Sequence, residues 1–243
     1  MPEGPSVLLV RQSLLPFIGK KIIAAQGNTK IDITRLVNQK ILDIKTWGKH
    51  LLICFDNFTL KIHFMMFGTY LINKRKSTPL RLSFQFKKEE INFYTCSIQF
   101  LDGELDQLYD FSADVLSDSW NPRKAAMKLK KIPASNVCDA LLDQQIFAGV
   151  GNIIKNEVLF RIKVHPKSLV GGLPAKIRQN MIRESRNYSL DFLNWKKEFT
   201  LKKHWLIYTK KTCPRDRSQI SKEYVGNTKR RTFFCETCQI LYD

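Results

Sequence analysis

The sequence predicts an α+β chain in two domains, with an antiparallel β-sandwich flanked by helices ahead of a helical domain. Three observations carry this. Short strand-like runs separated by polar turns fill residues 20–107, the texture of a sandwich or partial barrel. A polar stretch from Ser112 to Pro122 then breaks the pattern, and from Lys124 onward the periodicity is helical. The expected division is a first domain over 1–115, a linker over 116–122, a helical domain over 123–200 and a cysteine-bearing segment over 201–243.

In chain order, Pro5 to Ile18 has the wide apolar face of an amphipathic helix closed by Gly19. Strands are expected over 21–24, 40–44, 51–55, 59–64, 69–72, 81–86, 92–94 and 97–101. Helices are expected over 123–131, 136–142, 152–160, 174–188 and 190–197.

Composition narrows the partner. Forty basic residues against 22 acidic ones leave a net charge of +18, which points to a polyanion, nucleic acid before an anionic membrane. Sixteen Phe, seven Tyr and four Trp indicate a folded binder rather than a basic tail. No apolar run is long enough to span a membrane. Cys54, Cys96 and Cys138 lie singly and read as buried thiols, whereas Cys213, Cys235 and Cys238 cluster. With no secretory pattern the expected setting is a reducing cytoplasm, where clustered cysteines suggest metal.

Chemistry concentrates at a few points. Removal of Met1 would leave Pro2 with a free secondary amine. An α-amine titrates near pH 8, so roughly a tenth is neutral at pH 7, as Schiff-base formation on a sugar carbon requires. Glu3 beside it can serve as general acid or base. Alternatively, Pro-Glu-Gly-Pro is simply a helix-start signal. Gly48-Lys49 places a lysine at a strand's entry. Met65-Met66-Phe67-Gly68 puts bulky apolar residues at a turn between two strands, either as core or as a wedge pushed between bases. Gly149-Val150-Gly151-Asn152 is a Gly-x-Gly turn with Asn152 at the N-cap of the next helix, where backbone N–H groups can hold a phosphate. Asn227 to Thr232 reads as a basic hairpin.

Together these pieces resemble the formamidopyrimidine-DNA glycosylase and endonuclease VIII family. The matches run in the family's order: Pro2-Glu3-Gly4-Pro5, Gly48-Lys49, His63 to Gly68, Gly149 to Asn152 with Glu157, and a C-terminal finger. The Glu-Gly-Pro opening is closer to the endonuclease VIII branch. The resemblance implies a helix–two-turn–helix in the second domain, followed by a zinc-finger-like β-hairpin. It also implies a bifunctional DNA glycosylase/AP lyase of base excision repair, acting on damaged double-stranded DNA as a monomeric, bacterial-type protein of the nucleoid.

By that resemblance, Pro2 is the nucleophile, Glu3 the acid, and Lys49 and Arg230 contact the lesion phosphate. Met65, Met66 and Phe67 fill the void left by the flipped base. Gly151, Asn152, Lys155, Lys229 and Arg231 line the DNA. Cys213, Asp216, Cys235 and Cys238 are the metal set. The family pattern has two Cys-x-x-Cys pairs binding one structural zinc. Here Asp216 replaces a cysteine, leaving open either a zinc site with a carboxylate ligand or a weakened, metal-free finger.

Two further departures bear on specificity. No arginine lies between Arg81 and Arg123, and Asp110 stands where the family has one that reads the orphaned base. The stretch from Asp191 to Cys213 is short and lysine-rich where the purine-specific branch has a long glycine-containing loop, so oxidised pyrimidines are the expected substrates. Two competing readings are a non-catalytic damaged-DNA binder of the same fold and an RNA-binding zinc ribbon.

Overall fold

The structure, a computed structural model, describes residues 2–243; the removal of Met1 concerns a residue outside the described ones. The chain forms two compact units, one ending at Tyr109 and one starting at Asp110. The expected linker over 116–122 belongs to the second unit. Just ahead of it, Val115 is fully buried in that unit's core, and its N–H donates to the Ala148 carbonyl at 3.2 Å.

In the first unit α1 spans Gly4–Leu14, with Glu3 as N-cap and Pro5 in its first turn. Val7, Val10 and Leu14 form its buried stripe. It gives way to a single 3-10 turn, Leu15–Phe17, short of the expected end at Ile18. Pro16 has no N–H to continue the α-helical ladder, and Gly19 takes a φ of +85° as the chain turns away.

Six strands follow: β1 Ala24–Gln26, β2 Asp43–Trp47, β3 His50–Cys54, β4 Thr59–Ile72, β5 Leu82–Gln85 and β6 Glu90–Leu101. They form one antiparallel sheet in the order β1-β5-β6-β4-β3-β2. The expected antiparallel sandwich is thus built from one continuous sheet whose two halves share a core. The runs expected as separate strands over 59–64 and 69–72 are one strand, as are those over 92–94 and 97–101. β2 and β3 extend the first half of β4, while β5 and β1 extend the first half of β6. The halves join where the β4–β6 register shifts between Phe64 and Thr69, opposite Thr95 at φ +49°. Both halves and α1 fill one core, in which Phe64 meets Phe93 and Phe17 meets Phe86. A short helix, α2 (Leu105–Leu108), ends the unit. Of the lone thiols, Cys96 and Cys138 are buried as expected, but Cys54 at the end of β3 is only half-buried.

The second unit carries α3 Pro122–Lys130, α4 Val137–Leu142, α5 Asn152–Arg161, α6 Ala175–Lys197 and the hairpin β7 Ser221–Val225 with β8 Arg230–Phe234. Asn121 caps α3 through Arg123 N and Lys124 N, and Asn136 caps α4 through Cys138 N. α6 runs unbroken through Ser189, where two helices were expected. The hydroxyls of Ser185 and Ser189 donate back to the carbonyls of Met181 and Ser185, each at 2.7 Å, so they follow the helix instead of ending it.

Candidate active site and nucleic-acid interface

In the first unit, Pro2 is half-buried just ahead of α1 and Glu3 is only 3% exposed. The Glu3 carbonyl accepts from Ser6 N at 2.8 Å and Val7 N at 3.2 Å, while its carboxylate makes no capping bond to its own helix. The backbone of Glu3, not its side chain, therefore starts α1. α1 packs on β2 and β3, and Arg11 Nε donates to the Ile44 carbonyl at 2.6 Å, fixing the helix to β2.

Gly48 and Lys49 are the two-residue turn between β2 and β3, with Gly48 at φ +54° as such hairpins require. Behind Lys49 lies a polar–aromatic cluster that sequence reasoning missed. Tyr109 Oη lies 3.3 Å from His50 Nδ1, Trp47 packs 4.9 Å from Tyr109, and His63 lies 5.4 Å from His50. Burial, then Lys61, His63 and Lys49, holds the His50 ring down to about 4; burial and Lys49 likewise lower His63. Burial pushes the Tyr109 hydroxyl up to about 12. The cluster is thus neutral at pH 7 and adds no charge beside Lys49. Only the His63 that opens the wedge motif hinted at it.

Met65, Met66 and Phe67 are 46%, 60% and 76% exposed. They lie inside β4, at its bulge, not at a turn between strands as expected, and none is core. Gly68 lets the ridge form. A Cβ there would come within 2.8 Å of the Thr95 carbonyl oxygen and of Phe64 Cβ.

In the second unit the turn between α4 and α5 is organised by Gln144. Its Nε2 donates to the carbonyls of Leu142 (2.7 Å) and Val150 (3.1 Å), and its Oε1 accepts from Gly149 N at 3.0 Å. Gly149 sits at φ +98°. Gly151, not Asn152, is the N-cap of α5; Asn152 is its first residue. Its Nδ2 donates to the Arg231 carbonyl at 2.9 Å, tying the helix start to β8.

Lys155 corrects the expected DNA contacts. It is fully buried, and its Nζ donates to Thr232 Oγ1 at 2.7 Å, so it holds the hairpin and cannot reach a phosphate. Asn156 acts alongside it, accepting from Phe233 N at 2.7 Å. Glu157, also fully buried, accepts from the backbone N–H groups of Leu206, Ile207 and Tyr208 at 2.8–3.1 Å. Burial nevertheless raises its carboxyl above the ordinary range.

The hairpin carries Lys229 and Arg231 exposed and Arg230 half-buried at the start of β8. Its turn is clamped by Asp139 of α4, which accepts from Asn227 N (2.7 Å), Thr228 N (3.1 Å) and Thr228 Oγ1 (3.0 Å). A Cβ on Gly226 would lie 2.5 Å from that carboxylate. No local signal marks Asp139, because its partners lie 88 and 89 residues away. Asp110, where an arginine was looked for, is paired with Lys128 Nζ at 2.8 Å; that bond and Ser112 pull its carboxyl down to about 2.

The ligand atoms of Cys213, Asp216, Cys235 and Cys238 lie within 4.8 Å of one another and could hold a metal. The Cys213 and Cys238 sulfurs are 3.8 Å apart, the edge of a tetrahedron with metal–sulfur bonds of about 2.3 Å. Asp216 Oδ2 lies 3.1 Å from Cys235 Sγ, while Oδ1 is held by Ser218 N and Oγ. Arg215 donates to Cys238 Sγ at 3.6 Å, a cation set against the anionic cluster. The donor set fits a metal.

Residues 1–100 match the formamidopyrimidine-DNA glycosylase N-terminal domain, and residues 111–187 match that glycosylase's H2TH domain. The chain belongs to the formamidopyrimidine-DNA glycosylase family. Endonuclease 8-like 3 of Xenopus laevis is 31% identical over 231 residues, 90% of this chain and 38% of that protein. The chain thus spans about two fifths of the endonuclease 8-like 3 relatives it matches. A formamidopyrimidine-DNA glycosylase of Lactobacillus helveticus is 28% identical over 279 residues, covering 100% of both. Among solved structures, Lactococcus lactis Fpg in complex with abasic-site DNA superimposes with a TM-score of 0.86 at 21% identity, over 98% of this chain and 99% of that one. A viral DNA glycosylase gives 0.84 at 19%, over 98% and 100%. These superpositions show a glycosylase-family fold in both units.

Proposed function

We propose that the chain is a bifunctional DNA glycosylase/AP lyase that removes oxidised bases, pyrimidines in preference, from double-stranded DNA. The observation that carries this is the start of α1, where Glu3 is buried with its carboxylate not used as a helix cap and Pro2 directly precedes it. The Pro2 nitrogen attacks sugar C1′, the bond from C1′ to the base breaks, and the base leaves with a proton. Glu3 supplies the proton that assists sugar ring opening. The resulting iminium acidifies C2′; loss of that proton expels the 3′ phosphate and cuts the strand. Lys49 and Arg230 grip the lesion phosphate, the ridge at Met65–Phe67 fills the vacated stack, and Lys229, Arg231 and the backbone at Gly151 and Asn152 hold the flanking strand. α6 runs on to Lys197 and so takes up the first part of the short, lysine-rich stretch from Asp191 to Cys213, which supports a pyrimidine preference.

The metal is proposed to be zinc, held by Cys213, Asp216, Cys235 and Cys238. It would supply cross-linking of the segments around the hairpin and no chemistry on DNA.

Borohydride trapping on a duplex carrying an oxidised pyrimidine, followed by peptide mapping, tests the proposal. A covalent adduct at Pro2 is expected. No adduct from protein that lacks Met1 and still binds the duplex would favour the non-catalytic binder, the reading to which the Asp216 replacement lends weight.

A further inference from the structure

The second unit contains a recess that the glycosylase reading leaves unused. It is an open cavity of about 560 Å³ between the start of α3 and the middle of α6. Trp120, Ala126 and Ile182 give it an apolar floor, and Arg123, Arg183 and Arg186 stand around it. No carboxylate lines it. None of its lining residues belongs to the hairpin, the Gly-x-Gly turn or the metal cluster.

The site is pre-organised. Arg186 donates to the carbonyls of Val115 at 2.9 Å and Ser117 at 3.0 Å, which pins the chain entering α3 against α6. Arg183 is steadied by Asn180 Oδ1 at 3.0 Å. Trp120 is packed against Phe147, with ring centroids 6.1 Å apart, so it serves as wall more than as a stacking platform.

We propose that this recess docks an acidic protein segment whose bulky apolar side chains enter the floor while its carboxylates pair with Arg123 and Arg183. Guanidinium groups match carboxylates in planar, two-point contacts, and a groove between two helices suits the apolar stripe of an amphipathic helix. A phosphodiester backbone would satisfy the arginines but has no aliphatic group to fill a floor built from Ala126 and Ile182. Charge and shape together favour the peptide.

The test uses the full chain and a fluorescein-labelled dodecapeptide of Asp and Glu around a central Leu-Phe pair, read by anisotropy. Saturable binding is expected, weakened about tenfold or more by the double variant Arg123→Glu/Arg183→Glu. It should be blocked by Ala126→Trp, with cleavage of damaged duplex unchanged in both variants. Equal binding by a peptide with Ala-Ala in place of Leu-Phe would overturn the proposal, reducing it to Coulomb attraction by a basic protein. It is likewise overturned if the double variant keeps the peptide but loses duplex affinity, which would assign this face to nucleic acid.

Discussion

Lys155 Nζ donates to Thr232 Oγ1 at 2.7 Å, joining the buried side of α5 to β8 across 77 residues of chain. Lys155→Met should therefore cost stability, about 2–3 kcal/mol, by leaving a buried hydroxyl without its charged partner. Urea unfolding measures this. The salt dependence of duplex binding should be unchanged, since a phosphate contact is not what is lost.

Asp139 positions the hairpin turn from α4. Asp139→Ala should raise hydrogen exchange at the amides of Asn227 and Thr228 and lower the rate of strand scission. Duplex affinity should fall less than scission does. A variant with unchanged exchange at those amides would show that the clamp does not hold the turn in solution.

Much of this was legible in the sequence because the motifs are local. Pro2-Glu3, Gly48-Lys49 and Gly149–Asn152 are short runs whose backbone needs are visible in the residues themselves. Lys155 was misjudged because a lysine three residues into a helix expected to face DNA looks solvated; only the fold reveals Thr232 beside it. Two strands were expected where β4 is continuous, because its bulge resembles a turn until the pairing with β6 is known. Asp139 and Tyr109 were missed because their partners lie 88 and 59 residues away, and Gln144 because its bonds within the turn depend on the path the turn takes.

The His50 ring titrates at about 4 in the folded protein, against about 6.5 for an unperturbed imidazole. The unfolded chain thus binds a proton that the folded chain refuses. Stability from this group is full above about pH 6.5 and lost as pH falls toward about 4. Urea midpoints should drop between pH 7 and pH 5, and His50→Gln should flatten that drop. His63, shifted in the same direction, would retain part of it.

The metal cluster predicts one bound ion per chain, readable by elemental analysis. Asp216→Cys should preserve that ratio and slow metal loss to a chelator, since a thiolate replaces the carboxylate. Cys238→Ser should release the ion. A wild-type protein carrying none after expression with added zinc would argue for a metal-free finger.

Gly68→Ala should distort the ridge at Met65–Phe67, because its Cβ would press on the Thr95 carbonyl. Unfolding free energy should fall by about 1–3 kcal/mol. Phe67→Ala, at an exposed position, should leave stability within about 0.5 kcal/mol while reducing excision from duplex. Circular dichroism melts and single-turnover assays separate the two.

The bonds from α5 and α4 to the hairpin mean that the C-terminal finger is not a portable module. Transplanted by itself, β8 would leave behind the Asn156 amide that receives Phe233 N and the Asp139 carboxylate that receives its turn. Chimeras between family members should therefore exchange everything from α4 onward as one cassette, because a junction between α5 and β7 would cut through the joinery that gives the finger its shape.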